Sequence, residues 1–412
     1  IKIVQWLNTN FEMLDIINGK ILYSIFSAFY EDCDIHDLVY TKKKFFHEFK
    51  EDFDKVIKLD NSYMIKSGSI AQVYKGFYND NEVAIKVVHP DIKYQLIFPI
   101  LYLKLYKFLV KNVSFLKRYD TAFIFDSFFD NLKNQTVMLN EFNNMKYFYD
   151  AYKENEYILI PQPLYATKNI LIMEFIDGKK FELLDDISLV MKQKIIILLN
   201  MFVKDNYYFK DFYHSDLHES NWKVIKYNNF CKLVIYDYGY ISFNNLHQTF
   251  KDVTYFNDIL DIDSLVDKLY VHCENIKFTN EEFKNEFKKY LKDSKVKFRE
   301  PFCDEIIIRL YNFIYIHNIY LKPNMFEMFI STILFKKNIL KFISIKKIGV
   351  SNSNILISSY LNSIHICNKY NIFNELKNYY QETYINNPII KKLYEFENIY
   401  FEELESLNSF DI

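Results

Sequence analysis

His214-Ser215-Asp216-Leu217-His218-Glu219-Ser220-Asn221, followed after a short bridge by Leu233-Val234-Ile235-Tyr236-Asp237-Tyr238-Gly239, is the stretch on which the reading of this chain turns. An aspartate stands five positions before an asparagine, and an apolar, strand-like run leads into a second aspartate. Each half alone is commonplace, because a polar loop that caps a helix uses the same residue types. In this order they supply a carboxylate able to orient a hydroxyl, plus an amide oxygen and a second carboxylate, hard ligands of the kind that hold Mg²⁺. Phosphoryl transfer requires those groups.

The Asp216–Asn221 spacing is that of the protein-kinase catalytic loop, and Asp237-Tyr238-Gly239 stands where D-F-G stands. Such a site also needs a strand lysine at the phosphates, and Val83-Ala84-Ile85-Lys86 has the V-A-I-K form. The surrounding pattern predicts strands over Tyr63–Lys66, Ala71–Phe77 and Glu82–Val88, with an Asn79-Asp80-Asn81 turn before the last. Val83, Ile85, Val87 and Val88 make the third strand apolar on both faces, which argues against a merely exposed Lys86. Setting Val73 on the valine of G-x-G-x-x-G-x-V puts Lys66, Gly68 and Ala71 at the glycine positions. A single glycine is left, so the loop is stiffer than a usual nucleotide flap.

A helical glutamate must hold the lysine in place, and Glu141, within a helical pattern covering residues 95 to about 155, is the candidate. Its separation from Lys86 implies extra helices inserted between them. Ile170 to Gly178 reads as an apolar strand passing into a hinge, where the backbone of Glu174 and Ile176 would meet adenine with Met173 behind it. An amphipathic helix over Ile187–Asp211 delivers the chain to the catalytic loop, and beyond Gly239 no A-P-E segment for protein substrates appears. Residues 241–412 read as helical runs at about 246–273, 279–293, 301–320, 323–343, 353–383 and 388–407. Residues 1–56 read as an amphipathic helical prelude, 57–178 as an N-lobe and 179–412 as a helical C-lobe with an extension.

Composition narrows the alternatives. A 412-residue chain that is 50% hydrophobic and 25% charged builds a substantial core. A net charge of −2 without a basic stripe disfavours nucleic acid as a partner. The five cysteines are scattered and show no C-x-x-C spacing, which fits a reduced compartment rather than zinc or a disulfide framework. With 6 Gly against 35 Tyr and 40 Phe, the glycines at motif positions, Gly68, Gly76, Gly178 and Gly239, are expected to hold backbone that other residues cannot. The apolar runs Leu96–Leu116 and Glu305–Phe335 are interrupted by charge and read as buried helices rather than membrane spans. A start at Ile1 without a signal-like run reads as a domain of a longer protein.

These residues resemble the UbiB/ADCK atypical kinases. The matching motifs are Lys2-Ile3-Val4-Gln5 for K-x-G-Q, Ser69-Ile70-Ala71-Gln72-Val73 for the nucleotide loop ending A-Q-V, and Val83 to Pro90 for V-A-V-K-V with its H-P pair. Gln135-Thr136-Val137 with Glu141 stands for E-x-D and its glutamate, and His214–Asn221 with Asp237-Tyr238-Gly239 completes the set. The resemblance implies a two-lobed, protein-kinase-like α+β fold with extra N-terminal helices and an enlarged helical C-lobe, binding ATP and Mg²⁺. Asp216, Lys86 and Glu141 would be catalytic, with Asn221 and Asp237 as metal ligands. Gly68, Ser69, Ala71, Gln72, Val73, Ala84, Lys86, Met173, Glu174 and Ile176 would contact nucleotide, and Lys2 and Gln5 would be regulatory, their helix covering the protein-substrate site.

The implied activity is ATP hydrolysis or small-molecule phosphorylation linked to prenyl-lipid (ubiquinone) metabolism in a mitochondrion or other organelle. That is compatible with a lipid substrate and peripheral membrane association. Val4 in place of glycine, and Gln135 and Val137 in place of the E-x-D acids, depart from the family pattern at the pocket gate. Those departures and the lost loop glycines motivate an alternative, a pseudokinase or lipid-binding scaffold that binds nucleotide without turnover.

Overall fold

A computed structural model describes residues 35–92, 132–184, 210–243, 261–293 and 303–322, apart from a few positions within them. Single helical positions are also described between 94 and 112, 195 and 209, 249 and 253, and 325 and 331. In chain order the elements are α1 (Leu38–Phe49), α2 (Phe53–Val56), β1 (Lys58–Ser67), β2 (Ala71–Tyr78), β3 (Asn81–Val88), α3 (Met138–Tyr152), β4 (Ile158–Leu159), β5 (Pro163–Ala166) and β6 (Ile170–Glu174). A 3₁₀ turn (Phe181–Leu183) follows, then β7 (Phe212–His214), β8 (Trp222–Lys226), β9 (Cys231–Ile235), β10 (Ile241–Phe243), α4 (Ile262–Tyr270), β11 (Cys273–Glu274), α5 (Asn280–Asp293), α6 (Cys303–Ile316) and β12 (Tyr320–Leu321). They fall into two compact units, drawn from Ile1–Glu154, Leu159–Asp177 and Ile235–Tyr240, and from Asn155–Ile158, Gly178–Val234 and Ile241–Ile412.

The first unit is a five-stranded antiparallel sheet in the order β1-β2-β3-β6-β5. Asn79 and Asp80 close the β2–β3 hairpin with φ of 49° and 62°, the left-handed pair that a two-residue turn demands and that Asn and Asp tolerate. β1 starts at Lys58, ahead of the expected Tyr63. Its first half, Lys58-Leu59-Asp60-Asn61-Ser62, is polar, and its register with β2 slips between Leu59 and Met64 and again before Lys66, so no alternation marks it as a strand.

Strand alternation sorts β3 and β6 onto two faces. Val83, Ile85, Val87, Ile170 and Ile172 join Phe45 of α1, Phe53 of α2, Ile57 and Tyr74 in one buried cluster. Val88 and Leu171 join Ile92 and Met138 of α3 in another. The sheet is thus covered by α1 on one side and α3 on the other. Glu48 of α1 accepts hydrogen bonds from the Thr167 hydroxyl, the Asn169 side chain and the Asn169 backbone N–H, clamping the β5–β6 turn. That turn in turn receives the N–H of Met138 on the Lys168 carbonyl at 3.0 Å, satisfying an exposed donor at the start of α3.

Gly76 is the glycine that packing requires. A Cβ there would lie 3.0 Å from the Lys58 carbonyl and 3.1 Å from Ile57 Cγ2, and the carbonyl belongs to the paired strand, so it cannot yield. Gly76→Ala should therefore lower stability by about 1–3 kcal/mol by overpacking, read as an earlier urea midpoint. A midpoint equal to wild type would show that β1 can shift. Gly68 corrects the sequence expectation, because a Cβ there meets only the Ala71 carbonyl at an ordinary 3.4 Å and its backbone lies outside the left-handed region.

In the second unit β7 pairs with β10, with His214 opposite Ile241, and β4-β9-β8 form a three-stranded sheet. Ile195, Leu198, Leu199 and Phe202 are buried at helical spacing ahead of β7, as the amphipathic pattern implied. The C-terminal part packs α4, α5 and α6 through Leu265, Leu269, Phe283, Phe287 and Phe313. The β11–β12 ribbon, with Cys273 opposite Leu321, falls where the expected helical runs end, at about 273 and about 320. The expected helices from 353 onward lie outside the described residues.

Among the described residues no helix is long and apolar enough to cross a membrane. In the Leu96–Leu116 run, expected to be a buried helix, the described large apolar side chains are exposed. Ile97, Leu101, Leu105 and Phe108 follow one another at steps of three and four and are 44–63% exposed. Periodicity locates an apolar stripe but does not say what covers it.

Candidate active site

Register places Lys86 on the α3 side of β3. It pairs with Val73 across β2 and with Leu171 across β6, while Ala84 pairs with Met173. Directly opposed and alternate residues share a face, so four of the residues expected at the nucleotide, Val73, Ala84, Lys86 and Met173, project from one face of the sheet.

Lys86 Nζ donates to Glu141 Oε1 at 2.7 Å and lies 3.4 Å from Asp237 Oδ1. The three side chains are 14%, 3% and 38% exposed, so the glutamate is the buried partner and the aspartate the accessible one. Burial alone would lower the pKa of the Lys86 ammonium, but the charges of Asp237 and Glu141 outweigh it and hold the group above the usual lysine range. Lys86 is a fixed cation flanked by one carboxylate that cannot leave and one that water can reach.

α3 builds this arrangement from a single face. Glu141, Asn144 and Phe148, spaced three and four apart, project together. Asn144 Nδ2 donates to the Tyr238 carbonyl at 2.9 Å, and the Phe148 ring packs on Tyr238 with centroids 4.9 Å apart. The buried Tyr238 hydroxyl donates to the Ile235 carbonyl at 3.0 Å. Burial, with Tyr236 adding to it, drives the Tyr238 pKa well above the ordinary tyrosine value. Asp237 adopts φ 58°, a left-handed conformation that costs most side chains energy and that clusters at functional sites. Its Oδ1 accepts the Gly239 N–H at 3.3 Å, and a Cβ on Gly239 would stand 3.2 Å from that oxygen. A small residue at 239 leaves the carboxylate its orientation.

The β1–β2 turn, where Gly68, Ser69 and Ala71 lie, is closed by the Gly68 N–H on the Ala71 carbonyl at 2.9 Å. Gln72 departs from the expectation. It is 2% exposed, its Oε1 accepts the His36 N–H at 3.0 Å and its Nε2 donates to the Tyr74 hydroxyl at 2.8 Å, so its side chain is committed inside the fold and not to a nucleotide. At the hinge, the Ile176 carbonyl is taken by the Tyr236 hydroxyl at 2.8 Å, and the Glu174 N–H donates to the Gln162 carbonyl at 2.9 Å. The Ile176 N–H and the Glu174 carbonyl carry what is left of the adenine expectation.

In the second unit, β7 ends at His214, whose Nδ1 accepts the Asp216 N–H at 3.2 Å. Asn221, buried, spans the loop by donating Nδ2 to the Asp216 carbonyl at 2.8 Å, so that of its amide atoms Oδ1 is the one that could take a cation. The Ser331 hydroxyl donates to the Ser215 carbonyl at 3.2 Å, tying the loop to the C-terminal helices. His218, and the motif residues Lys2, Val4 and Gln5, lie outside the described residues. Among the described residues no group of three or more His, Cys, Asp and Glu side chains is placed to hold a metal. An Asp carboxylate and an Asn oxygen still suit Mg²⁺, which takes one or two protein oxygens and completes its shell with phosphate and water.

A family profile for the ABC1 atypical kinase-like domain matches residues 31–264, more than half of the chain. The chain belongs to this family. Its fold is α+β and protein-kinase-like, in line with the sequence motifs. An uncharacterized chloroplastic aarF domain-containing protein kinase of Arabidopsis thaliana is 25% identical over 162 residues, 38% of this chain. The match spans 22% of that relative's length. Among solved structures, the chain is similar to the Mycobacterium tuberculosis protein Rv3197, solved with erythromycin, at 18% identity and a TM-score of 0.42, covering 63% of this chain and 67% of the other. It is also similar to the Rio2 kinase of Chaetomium thermophilum, solved as an ADP/Mg²⁺–phosphoaspartate complex, at 10% identity and a TM-score of 0.31, covering 64% and 72%. Within this ABC1 domain Asn144, Phe148 and the His36–His89 pair were not foreseen as site elements. The available signals were the position of Asn144, three residues after Glu141, and the place of His89 in the quoted H-P pair.

Proposed function

We propose that this ABC1-family protein binds Mg-ATP and either hydrolyses it or transfers its γ-phosphoryl group to a small, hydroxylated or lipid-like acceptor. The observation that carries the reading is the Lys86–Glu141–Asp237 constellation, an immobilised cation with an accessible carboxylate beside it. In this reading Lys86 neutralises phosphate charge, Glu141 fixes Lys86, Asp237 and Asn221 are the Mg²⁺ ligands, and Asp216 orients the attacking hydroxyl or water. The bound metal would supply charge neutralisation at the phosphates. Lys2 and Gln5 would regulate access, and an organellar address and a prenyl-lipid acceptor belong to the same proposal, the first supported by the chloroplastic description of the plant relative.

Phosphate release and transfer from γ-labelled Mg-ATP, measured with detergent and a quinone-like phenol and separately with a peptide mixture, tests it. Label in phosphate or in the phenol is the expected result. Label confined to peptides would restore a conventional protein kinase. No turnover in any arm would leave a nucleotide-binding scaffold, the reading that the stiff β1–β2 loop favours.

A further inference from the structure

Behind the β1–β2 turn lies a chain of buried and half-buried polar groups that none of the roles above uses. His89, at the end of β3, places Nε2 2.8 Å from the Gly68 carbonyl and 3.4 Å from the Ser67 hydroxyl, and Nδ1 2.7 Å from His36 Nδ1. His36 Nε2 lies 2.9 Å from the Thr41 hydroxyl and 3.2 Å from that of Tyr74, and those two hydroxyls are 2.7 Å apart. Gln72 closes the path, with Nε2 on Tyr74 and Oε1 on the His36 N–H.

Both ends of this path are pinned by backbone groups with one possible role. The His36 N–H can only donate, so Gln72 faces it with Oε1 and turns Nε2 to Tyr74. The Gly68 carbonyl can only accept, so His89 Nε2 carries a proton. With His89 neutral, its Nδ1 accepts, His36 Nδ1 must donate, and His36 Nε2 must accept from a hydroxyl, for which Thr41 at 2.9 Å is nearer than Tyr74 at 3.2 Å, so that Thr41 in turn accepts from Tyr74. Every group finds a partner in one direction, from Gln72 through Tyr74, Thr41, His36 and His89 to Gly68. A network satisfied this way is rigid, and one with a missing member leaves a buried group unpaired.

We propose that His36 and His89 are positioning residues for nucleotide binding, a directional hydrogen-bond relay that fixes the Gly68 carbonyl and with it the Ser67–Ala71 turn. The inference rests on the reading of that turn as the nucleotide loop. It assigns to Gln72 a place in the relay rather than at the ligand. It also explains how a turn with a single glycine is held, since side-chain hydrogen bonds replace the backbone latitude that glycines would give.

Two substitutions at one position separate the relay from generic packing. Glutamine places an amide nitrogen near the histidine Nε2 position and retains a donor for Gly68, whereas asparagine reaches only the Nδ1 position and loses it. His89→Asn should speed backbone hydrogen exchange across residues 67–72 in the ligand-free protein. It should also weaken Mg-ADP binding about tenfold, the scale of one lost hydrogen bond, while His89→Gln, which keeps the Gly68 bond but not the acceptor for His36, should stay closer to wild type in both. Equal behaviour of the two variants, or unchanged exchange in His89→Asn, overturns the relay. A wild type that binds no Mg-ADP yet shows the exchange difference would instead refute the nucleotide reading and leave the relay as a device of the fold.

Acidification gives an independent readout. Burial, then the neighbouring His89, lowers the His36 pKa from the ordinary 6.5 to about 4, with Asp37 opposing, and Tyr40, Thr41, Gln72 and Tyr74 face it from α1 and β2. The unfolded chain then binds more protons than the folded one in this window, so the stabilisation from neutral His36 is lost as pH falls from 6.5 towards 4. Wild type should lose melting temperature over that range more steeply than His36→Gln. Parallel slopes would count against the relay.

Discussion

Lys86→Met should be the most destabilising single substitution at the site, by about 3–5 kcal/mol at neutral pH, the usual result of removing one partner from a buried ion pair. The size of the effect is decided by which carboxylate loses its partner. Asp237, with 38% of its side chain exposed, can be hydrated and will register little. Glu141 cannot, because its side chain is 3% exposed and 2.7 Å from the lysine that disappears. A buried carboxylate that has lost its neighbouring cation escapes the penalty by taking a proton, so the deficit of the Lys86→Met protein should shrink as pH is lowered towards 5, opposite to the acid sensitivity of the wild type. Adding Glu141→Gln to Lys86→Met should recover much of the loss, a positive coupling expected only of residues in direct contact. Urea unfolding of the two single variants and the double variant at pH 5 and pH 7 measures all of this. A loss under about 1 kcal/mol, typical of exposed pairs, or a double variant no better than Lys86→Met, would mean that Glu141 does not depend on Lys86.

What the sequence made legible follows from how many residue types can do a given job. A fixed cation at phosphates, a carboxylate to hold it and a hard ligand for Mg²⁺ admit few substitutes, so Lys86, Glu141 and Asp237 stand out even where 55 residues separate the first two, and the fold does bring these three together. Asn144 was not legible. Helical asparagines are ordinary surface residues, and only the approach of Tyr238 gives this one a carbonyl to bond. His36 and His89 lie 53 residues apart with no periodicity or spacing rule joining them, so nothing short of the strand register shows that they meet. Gln72 sits in the quoted A-Q-V motif, but a motif gives position in the chain and not the direction a side chain takes. The glycines teach a related point. Scarcity suggested Gly68 and Gly76 alike, yet only Gly76 faces a carbonyl 3.0 Å from its absent Cβ.

Asp237→Asn should abolish Mg²⁺-dependent nucleotide binding while leaving the first unit folded. Asparagine tolerates the left-handed φ of 58° nearly as well as aspartate, and its amide oxygen can still accept the Gly239 N–H. Glu141 alone keeps Lys86 paired. The melting temperature without ligand should therefore change little, and nucleotide without metal should still engage Lys86. What asparagine cannot supply is the negative charge a hard divalent cation requires. For wild type, Mg-ADP at about 100 times its dissociation constant should add roughly 2.7 kcal/mol of stability, a readily visible rise in melting temperature. The part of that rise that depends on Mg²⁺ should vanish in Asp237→Asn. A variant that keeps the full increment would remove Asp237 from the metal site. Because the fold control and the metal-free arm are read in the same titration, that outcome could not be attributed to unfolding or to loss of the nucleotide pocket.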